Sequence, residues 1–507
     1  MARSHDSDSL NIVMAASEAV PYVKTGGLAD VVGALPVEFA KMGHAVTLIV
    51  PRYRDFQTGG RSLRSLGSVR IRTPGGAVDA GLEEECIPVG EGGRSVRVVA
   101  VRYDPYFDRA GLYQGPEGDF KDNLDRFAFF SRAVVEAVSF FGQRAGEPAP
   151  VLHLHDWQTA LAAVYLKTTD RARTILRDVR TLLTLHNVGY QGIFPGHQFS
   201  ATGLPADLFT PAGLEYYGSV NLLKGGMVFA DAVSTVSPTY AKEIMTPEGG
   251  FGLEGVLAHR RESVVGITNG IDIESWNPET DRYLAANYSQ VDLSGKPRCK
   301  AALQRELGLP NRAVPLIGVI GRLTSQKGFD LLTEIVPELM AVGVQMAVLG
   351  TGDRSLEARF RSLQEQYPQH IGLSLQFDEG LAHRIEAGAD MLVMPSRYEP
   401  CGLTQLYSLR YGTIPIVRKT GGLADTVVPY RPSTALAGKA TGFLFPDVSE
   451  DSLLAALLLA LKVYADQDLW KSIQQAAMAV DCSWERSARQ YVEVFRRLRQ
   501  GGVSYGL

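Results

Sequence analysis

The sequence predicts an α/β protein with two doubly wound domains, each a largely parallel sheet covered by helices. Three observations predict this fold class. The chain has 507 residues, which at roughly 100–200 residues per domain is enough for two large domains. Short runs rich in Val, Ile and Leu alternate with longer segments of helical pattern, as right-handed βαβ units do. Hydrophobic residues make up 45% and charged residues 21%, a balance that excludes extensive disorder.

Ten segments have the length and composition of strands. Several are apolar on both faces, as strands must be in a parallel sheet with helices on each side. The predicted strands are Asn11–Ala16, Ala45–Val50, Val96–Val101, Val151–His155, Thr181–His186, Ala232–Val236, Val314–Ile320, Val344–Leu349, Asp390–Met394 and Ile414–Val417.

Charge and cysteine content exclude several classes of protein. With 51 basic and 55 acidic residues the net charge is −4, which argues against a nucleic-acid or acidic-membrane binder. Cys86, Cys299, Cys401 and Cys482 form no CxxC pair, so neither a zinc ribbon nor a disulfide framework is predicted. Residues 1–10 contain no apolar signal-peptide core, and no apolar run is long enough to span a bilayer. We expect a cytoplasmic protein with no membrane or nucleic-acid partner.

One heptapeptide, Lys-Thr-Gly-Gly-Leu-Ala-Asp, occurs at residues 24–30 and again at 419–425. A Gly-Gly pair before a helix lets a ligand approach the backbone closely, and the helix start presents free N–H groups. A tight strand-to-helix turn is the alternative explanation for a single copy. Two copies with matching Lys and Asp favour ligand binding, in two domains whose strand ends face one cleft. The candidate residues in the first copy are Lys24, Gly26, Gly27 and Asp30.

A basic loop follows the strand that ends at Ile320. Arg322 and Lys327 lie five residues apart in it, so the two cations can converge on a doubly charged phosphate. The spacing is not that of a Walker A loop. A solvated basic turn is the alternative, but a diphosphate leaving group needs such cations because charge grows on its oxygens as the bond breaks.

The loop after the ninth predicted strand contains a candidate acidic residue, Glu399. Pro400 and Gly402 form a bend from which Glu399 can reach into a cleft. The N–H groups of Leu403 and Thr404 would then open the next helix toward an anion. A glutamate before a proline is usually a surface or helix-end carboxylate, but this one follows a buried strand. Cys401 is either a reactive thiol or, as we favour, a small packed cysteine.

Two further loops supply polar side chains. Two successive predicted strands end in polar residues, namely Asp156, His186, Asn187 and Gln191. These side chains have the chemistry of hydrogen-bond partners for a polyhydroxylated ligand. Capping of a helix start is the competing explanation for Asp156.

A metal site is the more distant alternative for this region. His153 and His155 lie two residues apart, on one face of a strand, as the ligands of some metal-dependent hydrolases do. No further set of ligands accompanies them, so metal binding is not favoured.

Together these motifs resemble bacterial glycogen synthases and plant starch synthases. The likeness runs from about Asn11 to near Arg497. It is carried by Lys-Thr-Gly-Gly-Leu at 24–28, His-Asp-Trp at 155–157, His-Asn at 186–187, Asn-Gly-Ile-Asp at 269–272, the Arg322 and Lys327 loop, and Glu-Pro-Cys-Gly-Leu-Thr-Gln at 399–405. The resemblance implies a GT-B fold with two Rossmann-like domains flanking a central cleft. The implied division is an N-terminal domain of residues 1–255, completed by a returning helix within 484–507, and a C-terminal nucleotide-sugar domain of residues 256–483.

The implied reaction is transfer of glucose from ADP-glucose to the non-reducing end of an α-1,4-glucan, with retention of configuration. The family implies no metal or organic cofactor, and it makes ADP-glucose and glycogen the partners without predicting an oligomeric state. A related retaining transferase that uses UDP-glucose or another acceptor stays open. So does a catalytically weak glucan-binding protein.

The resemblance also implies roles for the donor-binding residues. Arg322 and Lys327 should bind the diphosphate. The groups that assist them are Lys24, Gly27 and the amides of Leu403 and Thr404.

Other implied roles concern the sugar and the nucleoside. Glu399 should orient the transferred glucose, and His186 should meet its 6-hydroxyl while its carbonyl stabilises positive charge at the anomeric carbon. Asp156 should lie on the acceptor side. Asp30 is a nucleoside-side or loop-ordering residue, and Phe377 stacks on adenine.

One position departs from the wider group of retaining GT-B enzymes. Many of them carry a second glutamate eight positions after the first, where this chain has Tyr407. No nucleophile is apparent opposite Glu399 either. We therefore expect a front-face mechanism, in which the departing phosphate accepts the proton of the acceptor.

Overall fold

The computed structural model describes residues 9–90, 93–141 and 149–501. The prediction that residues 1–10 contain no signal-peptide core concerns mainly residues 1–8, which lie outside the described residues. The chain divides into two compact units. Unit 1 extends to Val236 and also takes Ala241–Ile267 and the chain from Ser487, whereas unit 2 consists of Ser237–Tyr240 and Thr268–Arg486.

Unit 1 contains the first fourteen strands. They are β1 (Asn11–Ala15), β2 (Ala45–Pro51), β3 (Arg64–Thr73), β4 (Gly76–Val89), β5 (Arg94–Arg102), β6 (Gln114–Gly115), β7 (Gly118–Asp119), β8 (Val151–His155), β9 (Arg180–Leu185), β10 (Ile193–Pro195), β11 (Glu215–Tyr216), β12 (Ser219–Asn221), β13 (Ala232–Thr235) and β14 (Val264–Gly266). The helices of this part of the chain are α1 (Gly27–Lys41), α2 (Asp104–Phe107), α3 (Asn123–Phe141), α4 (Trp157–Thr168), α5 (Asp170–Ile175), α6 (Leu222–Phe229), α7 (Pro238–Glu243), α8 (Pro247–Gly250) and α9 (Glu254–His259). Helix α7 begins among the residues of unit 2 and ends among those of unit 1.

The main sheet of unit 1 has the order β14-β13-β9-β8-β1-β2-β5-β4-β3. The strands from β14 to β5 are parallel, and β4 and β3 extend the sheet as an antiparallel hairpin. The chain winds outward from β1 to β5 and then returns beside β1 with β8. The switch of direction therefore lies between β1 and β8, where doubly wound sheets form a crevice at the strand ends.

Unit 2 contains a second, wholly parallel sheet in the order β17-β16-β15-β18-β19-β20. Its strands are β15 (Leu316–Ile320), β16 (Gln345–Leu349), β17 (Ile371–Ser374), β18 (Met391–Met394), β19 (Ile414–Arg418) and β20 (Phe443–Phe445). Its helices are α10 (Gly295–Glu306), α11 (Phe329–Glu334), α12 (Val336–Ala341), α13 (Arg354–Gln366), α14 (Glu379–Gly388), α15 (Thr404–Tyr411), α16 (Gly421–Thr426), α17 (Pro432–Leu436), α18 (Glu450–Tyr464) and α19 (Gln467–Met478). Here the winding reverses between β15 and β18.

The last helix, α20 (Trp484–Arg499), belongs to unit 1 from Ser487 onward. Tyr491 and Phe495 are fully buried and make edge contacts with Phe39 of α1 at ring-centroid distances of 6.4 and 5.5 Å. The same two rings lie 5.2 and 5.5 Å from the imidazole of His153 on β8. The core of unit 1 is therefore completed by residues that follow unit 2 in the sequence.

The fold class predicted from the sequence is confirmed, and all ten predicted strands are present within a few residues of their predicted ends. The structure adds the β3–β4 hairpin and several short strands that were not predicted. The first compact unit extends to Ile267 rather than to residue 255, because β14 pairs with β13 and so continues the first sheet. In the described ranges, no helix is both long and apolar enough to cross a membrane.

Candidate active site

The predicted site residues lie mainly at the carboxyl ends of parallel strands in both units. In unit 1 the loops after β1, β8 and β9 carry them, and these strands are neighbours at the switch of winding direction. In unit 2 the loops after β15, β17, β18 and β19 carry them, around the second switch. Ligands of open α/β sheets bind in the crevice at such strand ends. Each unit therefore presents its predicted residues where its own topology favours binding.

The loop after β1 is folded around a buried carboxylate, Glu18. This side chain accepts hydrogen bonds from the amide and the hydroxyl of Thr25 at 2.5 and 2.7 Å, and from the hydroxyl of Tyr113 at 2.5 Å. Only 3% of Glu18 is exposed. Glu18 therefore fixes the loop that carries the first Gly-Gly pair.

The first copy of the repeated heptapeptide is exposed. Lys24, Gly26 and Gly27 lie at the surface, and α1 begins at Gly27. The ammonium of Lys24 donates to the Asp30 carboxylate at 2.7 Å. Among the residues that the structure describes, a Cβ atom on Gly26 would meet nothing within 4 Å. The loop therefore has open space in front of its backbone, and Asp30 holds the lysine over it.

Asp156 connects β8 to α4 in a backbone conformation that is unusual for a residue with a side chain, with φ of 55°. Its carboxylate makes no capping bond to α4 and instead accepts the amide of His186 at 2.7 Å. Burial raises the pKa of Asp156 to about 7, with the His186 hydrogen bond opposing the shift. The alternative of a helix cap does not describe this residue, which ties the ends of β8 and β9 together.

Three histidines lie side by side behind this point. Nδ1 of His155 and Nε2 of His186 are 2.9 Å apart, and Nε2 of His153 lies 2.6 Å from the Thr184 hydroxyl. Burial lowers the pKa of His153 and of His186 to about 3, and that of His155 well below its ordinary value. All three are therefore neutral near pH 7. Nowhere in the described ranges do three or more His, Cys, Asp or Glu side chains form a group that could hold a metal ion.

Asn187 and Gln191 occupy the loop that follows His186, but in different ways. The side-chain oxygen of Asn187 accepts the amide of Gly189 at 3.0 Å, which shapes the turn. Gln191 is buried, and its amide lies between the Phe251 carbonyl and the Asn221 side chain, at 3.0 and 2.6 Å. Both polar ends of Gln191 therefore bind protein groups, so its geometry is that of a supporting residue.

In unit 2 a cation and a carboxylate meet at the strand ends. The ammonium of Lys327 donates to Glu399 at 2.6 Å, and the Ser396 hydroxyl donates to the same carboxylate oxygen at 2.9 Å. Glu399 is 5% exposed. The guanidinium of Arg322 is exposed and forms no ion pair within the part of the chain that the structure describes. One cation is thus paired and another is available in the same loop.

Helix α15 begins close to Glu399. Its N-cap, Leu403, contributes no side-chain cap, so the first N–H groups of the helix, including that of Thr404, have no capping side chain. Gly402 has φ of 74°, a conformation that favours glycine. Cys401 is buried, and burial raises the pKa of its thiol to about 12. Cys401 is therefore a packed, protonated thiol, as we favoured from the sequence.

The second copy of the heptapeptide is packed rather than open. A Cβ atom on Gly421 would lie 1.9 Å from the Glu399 carbonyl oxygen, and one on Gly422 would lie 2.1 Å from that of Cys401. Asp425 accepts hydrogen bonds from the amide of Thr239 at 3.0 Å and from its hydroxyl at 2.5 Å. The two copies therefore have the same sequence but make different contacts.

Two aromatic residues near the site have contrasting surroundings. Phe377 follows β17 and is 86% exposed. Tyr407, eight positions after Glu399, stacks on Trp276 at 3.7 Å and 15°. Trp276 in turn stacks on His383 at 3.7 Å. Tyr407 is therefore part of an aromatic stack with Trp276 and His383.

Glu18 and His155 are the site residues whose present roles were not predicted. Glu18 is a single acidic residue in an apolar stretch directly after β1, and a buried carboxylate at a strand end could have been suspected from that pattern. The sequence suggests His155 as a metal ligand and as part of the His-Asp-Trp motif, but not as a partner of His186. Its contact with His186 joins residues 31 positions apart, which no local pattern reveals.

Comparison with known families matches both halves of the chain. Residues 11–259 match the family described as starch synthase catalytic domain, and residues 303–477 match glycosyl transferases group 1. The chain is 44% identical over 500 residues to a glycogen synthase of Koribacter versatilis, covering 97% of this chain and 99% of that one. It is 45% identical over 491 residues to a glycogen synthase of Anaeromyxobacter sp. (strain Fw109-5), covering 96% and 99%.

Solved structures give a consistent result. The catalytic domain of starch synthase IV from Arabidopsis thaliana, bound to ADP and acarbose, superposes with a TM-score of 0.86 at 35% identity, covering 97% of this chain and 100% of that one. Sucrose-phosphate synthase from Thermosynechococcus elongatus superposes with a TM-score of 0.57 at 17% identity, over 97% and 100% of the two chains, and shares the fold.

Proposed function

The chain belongs to the glycogen synthase and starch synthase family of retaining glycosyltransferases, and from this premise we propose that it transfers glucose from ADP-glucose to the non-reducing end of an α-1,4-glucan. The single observation that carries the proposal is the cluster at the switch of winding direction in unit 2. There Lys327 contacts Glu399 at 2.6 Å, and Arg322 is exposed in the same loop. Cations beside a buried carboxylate suit a ligand that carries both a diphosphate and a sugar.

In the proposed reaction unit 2 holds the donor. Arg322 and Lys327 bind the diphosphate, and the N–H groups of Leu403 and Thr404 at the start of α15 add further donors. Negative charge grows on the diphosphate as the glycosidic bond breaks, so these groups act more strongly in the transition state than in the ground state. Glu399 receives the hydroxyls of the glucosyl group and orients it. Phe377 provides an exposed face for adenine.

Unit 1 is proposed to act on the transferred sugar and the acceptor. His186 is neutral because burial lowers its pKa to about 3, so its imidazole can bind the 6-hydroxyl without opposing positive charge at the anomeric carbon. Asp156 has a pKa of about 7 and can either accept or donate a hydrogen bond to an acceptor hydroxyl near neutral pH. Lys24, held by Asp30, is proposed to contact the donor.

The departing phosphate is proposed to take the proton of the attacking hydroxyl on the face from which it leaves. The bond from the anomeric carbon to the ADP oxygen breaks, and the bond to the acceptor oxygen forms on the same face. This step retains configuration without a protein nucleophile. Protein cations neutralise the leaving group in this scheme, so we expect a chelator to leave the rate unchanged.

A donor assay tests the function directly. The purified protein is incubated with glycogen and either ADP-glucose or UDP-glucose, while released nucleotide and glucan chain length are both measured. We expect ADP release coupled to chain elongation. Preferential UDP release would reassign the donor, and tight glycogen binding without nucleotide release would indicate a glucan-binding protein.

Replacing either cation tests the site. We expect Arg322→Ala and Lys327→Ala each to lower kcat by roughly 100-fold or more, because removing one donor that stabilises transition-state charge has about that effect. Lys439→Ala is the matched control, since Lys439 is an exposed cation elsewhere in unit 2. Near-normal kcat in both site variants would remove the diphosphate role.

A further inference from the structure

The described part of the chain contains three non-glycine residues with positive φ, namely Asp156, Tyr217 and Phe251, at 55°, 48° and 51°. Such conformations are costly for residues with side chains and cluster at functional sites. Asp156 belongs to the candidate site. The other two lie in unit 1 at a small antiparallel sheet, β10-β12-β11, for which the proposed reaction gives no role.

This small sheet is attached to the candidate site. Gly192, directly before β10, lies so close to the ring of Trp157 that a Cβ atom there would be 2.5 Å from it, and Trp157 is the residue after Asp156. Phe194 on β10 contacts the same ring at 5.9 Å. Strand β10 therefore leads away from the Trp157 ring. Its far end, Pro195, pairs with Ser219, which also pairs with Tyr216 beside the turn between β11 and β12.

The carbonyl group of Phe251, a residue with positive φ, joins the sheet to the loop that carries His186. The Phe251 oxygen accepts the side-chain amide of Gln191 and the hydroxyl of Tyr216, each at 3.0 Å. The close approach of Tyr216 requires Gly252, where a Cβ atom would lie 2.0 Å from that hydroxyl. The buried Gln191 thus braces the sheet against the His186 loop.

The far end of the sheet is a two-residue turn, Tyr217-Gly218, between β11 and β12. Both residues have positive φ, at 48° and 78°, as in the type I′ turns that favour Asn-Gly. A tyrosine at the first position is unfavourable for the turn. Tyr217 is 86% exposed, and its ring lies edge-on to that of Tyr216 at 4.8 Å. The backbone therefore presents an aromatic ring to solvent at a conformational cost.

We propose that the exposed rings of Tyr190 and Tyr217 form a track for the acceptor glucan, on which glucosyl units beyond the reacting end stack. Tyr190 lies in the His186 loop and is 54% exposed, and Ile193 at the start of β10 is 47% exposed. Flat, amphipathic rings bind the apolar faces of sugars while leaving the hydroxyls hydrated. The track deepens the proposed function and rests on it, because a glucan must be the acceptor.

The order of the two rings predicts a dependence on chain length. Tyr190 is four residues from His186, whereas Tyr217 lies beyond the full length of β10, which at about 3.4 Å per residue places it roughly 10 Å farther along. Short acceptors should therefore reach Tyr190 and not Tyr217, while long acceptors should reach both.

Tyr217→Asn tests the track with little risk of misfolding, because asparagine suits the first position of this turn. We expect the variant to raise the KM for maltoheptaose about three- to tenfold, as loss of one stacking contact would. The KM values for maltotriose and for ADP-glucose should not rise, and Tm should not fall. Tyr190→Asn should raise the KM for both acceptors, and Tyr217→Phe should behave as the wild type.

Calorimetric binding of maltoheptaose without a donor separates the track from the reaction. If the wild type releases no ADP from ADP-glucose but binds maltoheptaose, and Tyr217→Asn weakens this binding, the proposed reaction fails and the track stands. Unchanged maltoheptaose affinity and KM in Tyr217→Asn would overturn the track, whatever the activity. Val291→Asn is the matched control, because Val291 is an 84% exposed residue of unit 2 and should change neither quantity.

Discussion

At the scale of single residues, Asp156 combines a strained backbone, a buried carboxyl group and a hydrogen bond from the amide of His186. The hydrogen bond favours the charged form, whereas burial favours the neutral form and prevails, so the pKa is raised to about 7. A carboxyl group that titrates near neutral pH can change its hydrogen-bonding role over a narrow pH range.

This pKa predicts how stability depends on pH. The folded protein holds the Asp156 proton more tightly than the unfolded chain, in which the pKa is about 3.9. The stabilising contribution is therefore fully present below about pH 4 and is lost as the pH rises through 7. We expect Asp156→Asn to lose this dependence, so that its Tm rises relative to that of the wild type between pH 4.5 and 8.5.

Thermal unfolding of both proteins over that range measures the effect as a difference curve. Asp447→Asn, at an exposed carboxylate in unit 2, is the control and should parallel the wild type. Parallel curves for Asp156→Asn and the wild type would show that the carboxyl group titrates as it does in the unfolded chain.

The identities of most candidate residues could be predicted from motifs, but their contacts could not. Lys327 and Glu399 were predicted to serve the diphosphate and the sugar, and the structure shows them in direct contact across 72 residues of sequence. Glu18 was not predicted at all, because its partners Thr25 and Tyr113 meet it only after the β1 loop has folded back. Such contacts depend on tertiary packing, which spacing along the chain does not encode.

At the scale of elements, the two heptapeptide loops show that one local sequence can serve two physical purposes. Both begin helices, α1 and α16. In the first, the backbone of Gly26 faces open space, whereas Gly421 has φ of 43° and touches the Glu399 carbonyl. Glycine is a packing requirement in the second loop, whereas at Gly26 no atom of the described residues lies where a Cβ atom would be.

This contrast predicts opposite results for the same substitution. We expect Gly421→Ala to lower the free energy of unfolding by about 2–4 kcal/mol, because the new methyl group would strike backbone and the residue would keep an unfavourable φ. We expect Gly26→Ala to leave stability unchanged and to raise the KM for ADP-glucose. Urea unfolding and donor titration measure the two effects, and equal losses of stability in both variants would contradict the assignment.

Strands were predicted well where both of their faces are buried and poorly where they are not. The parallel strands at the centre of each sheet are continuous apolar runs, which stand out in the sequence. Strand β3 has only Val69 and Ile71 as buried positions among ten residues, and it lies at the edge of its sheet. Its pattern is that of a partly solvated hairpin, so it lacks the continuous apolar run that predicts a strand buried on both faces.

At the scale of the whole molecule, the two units differ in whether they are built from one continuous stretch of sequence. Nearly all of unit 2 is one continuous segment, Thr268–Arg486, whereas unit 1 needs both the first half of the chain and α20. The helix contributes Tyr491 and Phe495, which are fully buried against α1 and β8. Without α20 those surfaces would be exposed to water.

This asymmetry predicts the behaviour of fragments. We expect residues 268–486, expressed alone, to unfold cooperatively, because their sheet and core are complete. A fragment ending at Ile267 should expose the apolar surface around Phe39, bind hydrophobic dyes and lack a sharp thermal transition. Fusing residues 487–507 to it through a flexible linker should restore the transition, and a fully cooperative fragment without that addition would refute the expectation.

The late position of α20 has a consequence for how the protein is made. A ribosome delivers the first sheet long before it delivers the helix that covers part of it, and nearly all of unit 2 emerges in between. Domains generally fold as they emerge, so unit 2 can fold while the core of unit 1 still lacks α20. During that interval the bare surface around Phe39 and His153 is the natural place for a chaperone to bind.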